Sequence, residues 1–223
     1  MFIVIDWIDG SGKGTQLKRV QEALEKMGKS VKVLDFPRYG NPSAFFVEKY
    51  LNGAYGMSLW AKQASLFYAL DRFDAAQDIK TDIENYDFVI SNRYVSASMI
   101  HQWGKIVDIA EVDEFLLWLS HLEFDILHIP RPDMTLFLDV PPEISLKLIS
   151  LKEQRNYIKD GSNTDIHEAD PEHLKNAYTR AVYVCEKLSW TKIVCTQDGE
   201  IFPLEKITDL ILQKILHYET GMR

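Results

Sequence analysis

The feature that most limits what this chain can fold into is an apolar strand running straight into a glycine-rich turn and then a periodic helix. Phe2-Ile3-Val4-Ile5-Asp6 precedes Asp9-Gly10-Ser11-Gly12-Lys13-Gly14-Thr15-Gln16, after which Leu17, Val20, Leu24 and Met27 recur at helical spacing. Gly10 and Gly12 let successive backbone N–H groups point inward at an anion, and the positive end of the following helix adds to that field. Lys13 then reaches terminal phosphates as a point charge. Asp9, Gly10, Ser11, Gly12, Lys13, Gly14 and Thr15 are therefore the candidate set for binding nucleotide phosphates, which leaves ATPases, GTPases and kinases open. Against the pattern GxxxxGK[ST] the chain departs twice, with Trp7 at the first glycine and Gly14 at the metal-binding hydroxyl. Trp7 requires a backbone conformation open to residues other than glycine. Gly14 leaves Thr15 or ordered waters to serve a metal.

Four more β-rich runs follow at Ser30–Leu34, Phe88–Ser91, Met134–Val140 and Lys192–Thr196, each nearly continuous in apolar residues. Such runs mark parallel strands covered on both faces, and helical periodicity fills the gaps, as at Leu204, Ile207, Ile211 and Ile215. The expected fold is α/β: a P-loop NTPase fold with a five-stranded parallel sheet flanked by helices, one domain over residues 1–223. Gly28 should stop the first helix, and Pro141-Pro142 should open the one after the fourth strand. Residues 152–170 are polar and mixed in charge, read as a connecting loop or a mobile lid.

Composition removes several classes. A net charge of −8 argues against a general nucleic-acid binder, which needs surplus Lys and Arg on one face. Two cysteines, Cys185 and Cys195, offer neither a disulfide framework nor a thiolate metal site, and are read as buried free thiols. The six histidines have no ligand spacing. The amino-terminal apolar run is far short of the ~20 residues a spanning helix needs, so no membrane association is expected and the protein is read as cytoplasmic.

The later motifs narrow the class. The second strand leads into Asp35-Phe36-Pro37-Arg38-Tyr39-Gly40, and the third into Ser91-Asn92-Arg93-Tyr94-Val95-Ser96 and on to His101-Gln102. The Asn-Lys-x-Asp signature of GTPases is absent. Arg38 and Arg93 each follow a strand at its carboxyl end, where open α/β sheets bind ligands, and guanidinium forks suit a phosphate dianion. Tyr68 and Arg72 stand four apart on one helix face.

Taken in order, the segments IDGSGKGTQ, FPR, FYALDR, NRYVSASMIHQ, PDMTLFLDVPPEIS and DIHE resemble the motif series of thymidylate kinases, within the P-loop nucleoside monophosphate kinases, over about residues 2–185. The resemblance implies phosphoryl transfer from MgATP to dTMP, giving dTDP and ADP, with Mg2+ as cofactor, a mobile lid and a homodimer. It implies that Arg38 and Arg93 hold the acceptor phosphate, that Arg72 hydrogen-bonds the thymine ring, and that Phe67 or Tyr68 stacks on it. Asp9 would approach the sugar 3′-hydroxyl, and Gln102 the base. Relatives often carry Ser where Ala97 stands, leaving that contact to Ser96 or Ser98. Asn92 replaces the usual Asp, so Thr15 and Asn92 become the metal candidates, acting through water. The P-loop carries no arginine, which makes Arg155 the lid cation expected to act in catalysis beside Lys13 and Arg93, with Lys159 next. Asp165 and Glu168 match the acidic pattern of the lid, or cap the helix near Pro171. Thr196-Gln197, after the last strand, would border the adenine. Two other readings remain open: a kinase for another nucleotide or deoxynucleoside, or a degenerate chain that binds nucleotide without transferring phosphate.

Overall fold

Strands form where the sequence is apolar without interruption. The structure, a computed structural model, describes residues 1–8, 13–56, 59–106, 108–157 and 171–221, with backbone alone at 13, 105, 151–157 and 173. β1 (Phe2–Asp6) is buried at every position, β3 (Phe88–Asn92) and β4 (Met134–Asp139) at most positions. β2 (Val31–Asp35) and β5 (Thr191–Val194) are only partly buried. The order in the five-stranded parallel sheet is β2-β3-β1-β4-β5, so the two wetter strands are its edges. Val31 lies opposite Phe88 and Asp35 opposite Asn92, while Leu136 lies opposite Thr191 and Asp139 opposite Val194. The α/β class and the five-stranded parallel sheet are those expected from sequence.

The chain divides into two compact units, one of Met1–Val4 with Lys29–Thr135 and one of Ile5–Gly28 with Leu136–Arg223. The first carries α2 (Phe45–Leu51), α3 (Ala61–Asn85), α4 (Val95–His101) and α5 (Ile109–Ser120). The second carries α1 (Lys13–Lys26), α6 (Pro142–Tyr157), α7 (Pro171–Lys187) and α8 (Leu204–Gly221). In α1 the apolar stripe of Leu17, Val20 and Leu24 is buried, and in α8 that of Ile207, Ile211 and Ile215. Each such side chain contributes about 1.5–3 kcal/mol by leaving water. These two helices pack on each other, and their seam is pinned by polar bonds: Gln16 Nε2 donates to Leu204 O at 3.1 Å and Thr208 Oγ1 to Gln16 Oε1 at 2.9 Å.

Several boundaries differ from the sequence reading. Met27 lies past the end of α1 and is 54% exposed, and Leu204 opens α8 at 42% exposed; an end residue keeps the spacing of a stripe without the cover. Gly28 does stop α1, with a left-handed φ of 79° and its N–H donating to Glu25 O at 2.9 Å. The run at 192–196 is not one strand. β5 ends at Val194, and β6 (Thr196–Gln197) pairs antiparallel with β7 (Glu200–Ile201). Between them Asp198 (φ 52°) and Gly199 (φ 76°) form the two-residue turn that a tight hairpin favours. α6 continues to Tyr157, so 152–157, assigned above to the loop or lid, is helical; 158–170 falls outside the described residues. Finally α5 passes into a π-helical stretch, His121–Ile126, where Leu127 N–H reaches back five residues to Leu122 O at 2.9 Å.

Candidate functional site

In the first unit, the turn after β2 is fixed by one buried carboxylate. Asp71, on α3 and fully buried, accepts from the Arg38 backbone N–H at 2.8 Å, from Arg38 Nε at 3.0 Å and from Ser43 Oγ at 2.7 Å. Arg38 Nη2 also donates to Asp74 Oδ2 at 2.6 Å, to Ser43 Oγ at 2.7 Å and to the Asp71 carbonyl at 2.9 Å. Burial works against the Arg38 charge, yet the bonds to Asp74 and Asp71 outweigh it and raise its pKa above the usual value. With Nε and Nη2 committed, Nη1 is the end of the guanidinium without a protein bond among the described residues, and it can meet an anion head-on.

After β3 the backbone turns sharply. Arg93 takes a left-handed φ of 60°, a conformation costly for a residue with a side chain and found where function over-determines it. Ser91 Oγ donates to the Arg93 carbonyl at 2.6 Å and holds the turn. Beside it Asn92 Nδ2 donates to Asp35 Oδ1 at 2.6 Å, across the register pair that ends β2 and β3. Asn92 Oδ1 is buried and has no hydrogen-bond partner among the described residues. The carboxylate that Asn92 lacks thus stands next to it on Asp35, a residue the sequence reading passed over.

Arg72 lies deeper than a base-reading residue on a surface would. It is 2% exposed and makes four bonds: Nε to Glu123 Oε2 at 2.6 Å, Nη2 to Glu123 Oε1, Nη2 to Ser98 Oγ at 3.0 Å, and Nη1 to the Tyr94 carbonyl at 3.1 Å. Ser98, one of the two serines flanking Ala97, therefore serves Arg72, while Ser96 Oγ is buried without a partner among the described residues. Burial drives the Tyr68 phenol well above the ordinary tyrosine range, and Tyr50 and Tyr39 push it further. Arg93 and Arg72 act on it in the opposite sense, so this ring lies within electrostatic reach of both arginines. Phe67 is placed differently: its ring stacks on Phe46 at 5.7 Å and meets Tyr55 at 5.1 Å, within the aromatic cluster against α2. Gln102 opens the short 3-10 turn after α4 and is half-buried.

In the second unit, Trp7 is wholly buried, its backbone N–H donating to Asp6 Oδ1 at 2.9 Å, and its φ is not left-handed. The ring that replaces the first glycine is thus core. Asp9, Gly10, Ser11 and Gly12 lie outside the described residues, and Lys13 is described by its backbone at the start of α1. Gly14 and Thr15 in the first turn of α1 are exposed, and among the described residues nothing beyond its own chain neighbours and helix backbone stands within 4 Å of where a Gly14 Cβ would be. Arg155 belongs to the last turns of α6 with its side chain outside the described residues, as are Lys159, Asp165 and Glu168 entirely. At the end of β4, Asp139 Oδ1 accepts from Tyr178 OH at 2.8 Å. Thr196 and Gln197 lie in the small hairpin. Among the described residues no group of three or more His, Cys, Asp or Glu is arranged to hold a metal, and no helix is long and apolar enough to cross a membrane.

Comparison with known proteins gives a consistent result. The family profile described as thymidylate kinase matches residues 5–198. The thymidylate kinase of Mycobacterium tuberculosis is 33% identical over 187 residues, covering 82% of this chain and 84% of the relative. A probable thymidylate kinase of Thermococcus onnurineus is 30% identical over 156 residues, covering 67% and 71%. One from Pyrobaculum calidifontis is 30% identical over 161 residues, covering 72% and 75%.

Proposed function

The chain belongs to the thymidylate kinase family, and from that membership we infer that it transfers the γ-phosphoryl group of ATP to dTMP, giving dTDP and ADP. What supports the acceptor side is that the charges of Arg93 and Arg72 both act on the Tyr68 phenol, against the effect of its burial, so that an aromatic side chain and two cations influence one another within the first unit. That combination suits a pyrimidine nucleoside monophosphate.

Phosphoryl transfer asks a protein for positioning and for positive charge around the migrating group rather than for covalent chemistry. On the donor side, the backbone of residues 9–15 and the ammonium of Lys13 hold the ATP phosphates, with the amino terminus of α1 adding its partial charge. On the acceptor side, Arg38 offers Nη1, and Arg93 is aimed by its left-handed turn. Tyr68 supplies the stacking surface, while Phe67 packs into the aromatic cluster against α2. Arg72 and Gln102 contact the base, Asp9 approaches the 3′-hydroxyl, and Arg155 closes over the transferring group as the lid cation. The whole chain is read as one kinase domain whose lid follows α6.

The residues also suit Mg2+. In the first unit Asn92 Oδ1 is a buried acceptor without a partner among the described residues and Asp35 is the adjacent carboxylate; in the second, Thr15 carries a hydroxyl at the start of α1. Asn92 would act on the ion through its waters, with Asp35 supplying the charge, and Thr15 is the other candidate that the sequence offers. Bound there, Mg2+ would offset the charge on the phosphate oxygens.

We also propose a homodimer. Leu66, Leu70 and Phe73 fall on one stripe of α3 and are 41%, 45% and 50% exposed, an apolar surface that a lone chain would leave in water. The two buried free thiols suit a reducing compartment such as the cytoplasm.

A coupled assay of ADP release with dTMP, dUMP, dCMP, AMP and thymidine tests the reaction. Turnover highest with dTMP supports it; turnover highest with another acceptor reassigns the substrate, and silence with all of them leaves a nucleotide binder.

A further inference from the structure

Glu123 is a buried charge in the first unit to which the reaction described above gives no part. It is fully buried, sits in the π-helical stretch after α5, and grips Arg72 by both Nε and Nη2. The wider π turn explains how it comes to point inward. Its carbonyl accepts from Ile129 N–H at 3.0 Å, closing the stretch against the segment that leads to β4. An α-helix continued from α5 would rotate the position differently, because each π turn inserts an extra residue.

Counting donors shows what this grip does. A guanidinium carries five N–H groups. Glu123 takes two, Ser98 one and the Tyr94 carbonyl one, which leaves a single N–H on Nη1 without a partner among the described residues. The plane of Arg72 is set by a two-point bond to a fully buried carboxylate, a geometry far more restrictive than a single hydrogen bond.

We propose that Glu123 is a positioning residue for nucleobase selection: it fixes Arg72 so that one remaining N–H is aimed at a hydrogen-bond acceptor on the base. This rests on the reading of Arg72 as the base contact in a dTMP kinase. A lone N–H in a rigid mount rewards a carbonyl at the 4-position of the pyrimidine and rejects an amino group there, since two donors would then face each other. A site built to pair one polar group discriminates strongly against an analogue that leaves it unpaired. Glu123 touches neither substrate nor reacting atoms. Its effect passes through Arg72.

The test compares the full chain with Glu123→Gln, Glu123→Asp and Ser98→Ala, measuring kcat and KM for dTMP, dCMP and ATP below the melting temperature of each variant. Glu123→Gln keeps size but loses charge; it is expected to raise KM for dTMP on the order of tenfold and to shrink the dTMP over dCMP preference, with KM for ATP unchanged. Glu123→Asp is expected to retain part of the preference. Ser98→Ala removes a neutral anchor without stranding a charge, so it reports even where Glu123→Gln does not fold, and a smaller change in the same direction is expected. A lowered melting temperature with an unchanged dTMP to dCMP ratio in Glu123→Asp and Ser98→Ala would overturn the proposal and leave Glu123 a structural ion pair. A wild-type chain inactive on every pyrimidine monophosphate would instead overturn the reading on which it rests.

Discussion

Arg38 is held by two carboxylates of unequal character, and that difference makes its behaviour testable. Asp71 is fully buried and sets the orientation of the side chain, while Asp74 is 63% exposed and occupies only Nη2. A phosphate arriving at Arg38 competes with Asp74 for its charge. Exposed ion pairs are worth about 0.2–1 kcal/mol, so Asp74→Asn should lower KM for dTMP by up to about fivefold, whereas Asp71→Asn should raise it. Steady-state kinetics with dTMP as the varied substrate would show both. Cys195 is a second case, since burial pushes its thiol up to about 12. At mildly alkaline pH it stays protonated in the folded chain, so alkylation should be slow and should accelerate on unfolding. Arg38 and Arg93 stood out in the sequence because each follows a strand end within a motif. Glu123 was not, because its inward direction comes from a π turn that leaves no periodic trace. Asp35 was overlooked for a related reason: its meaning depends on lying opposite Asn92, and register is not written in either strand alone.

At the scale of elements, the turns before β2 and β3 are tied together by one side chain. Asp87 Oδ2 accepts from the Ser30 N–H at 2.7 Å and from Ser30 Oγ at 2.8 Å, while its carbonyl accepts from the amino terminus at 2.9 Å. The backbone bond from Ser30, then the hydroxyl bond, hold the Asp87 carboxyl below the usual carboxylate range. A carboxyl with a depressed folded pKa stabilises the fold above its unfolded value of about 3.9, and that contribution is lost as pH falls through the folded value. Asp87→Asn should therefore melt below the wild type near neutral pH, and the two melting temperatures should converge as the pH falls through the folded value. Equal melting temperatures at neutral pH would refute the tie. Element identity was largely readable, since long apolar runs and helical stripes admit few alternatives. The small hairpin escaped notice because its strands are two residues each, although Asp198-Gly199 is the turn signal that could have found it. End residues such as Met27 and Leu204 were misplaced because spacing does not reveal where cover stops.

For the whole molecule, the exposed stripe of α3 predicts self-association. Phe73→Asp sets two like charges against each other wherever a two-fold axis brings the stripe onto itself, and it should give a monomer in sedimentation where the wild type is a dimer. A wild type already monomeric at micromolar concentration would remove that surface from the account. Family and reaction class were legible because the strand, glycine turn and helix combine with an ordered motif series that few folds carry. The most direct measurement uses ATP labelled at the γ-phosphate, incubated with the purified chain, Mg2+ and dTMP, followed by separation of the nucleotides. The account predicts that the label appears in dTDP in a one-to-one ratio with ADP, and that Lys13→Ala abolishes it. Label released as free phosphate, or retained in ATP while dTMP binds, would contradict it.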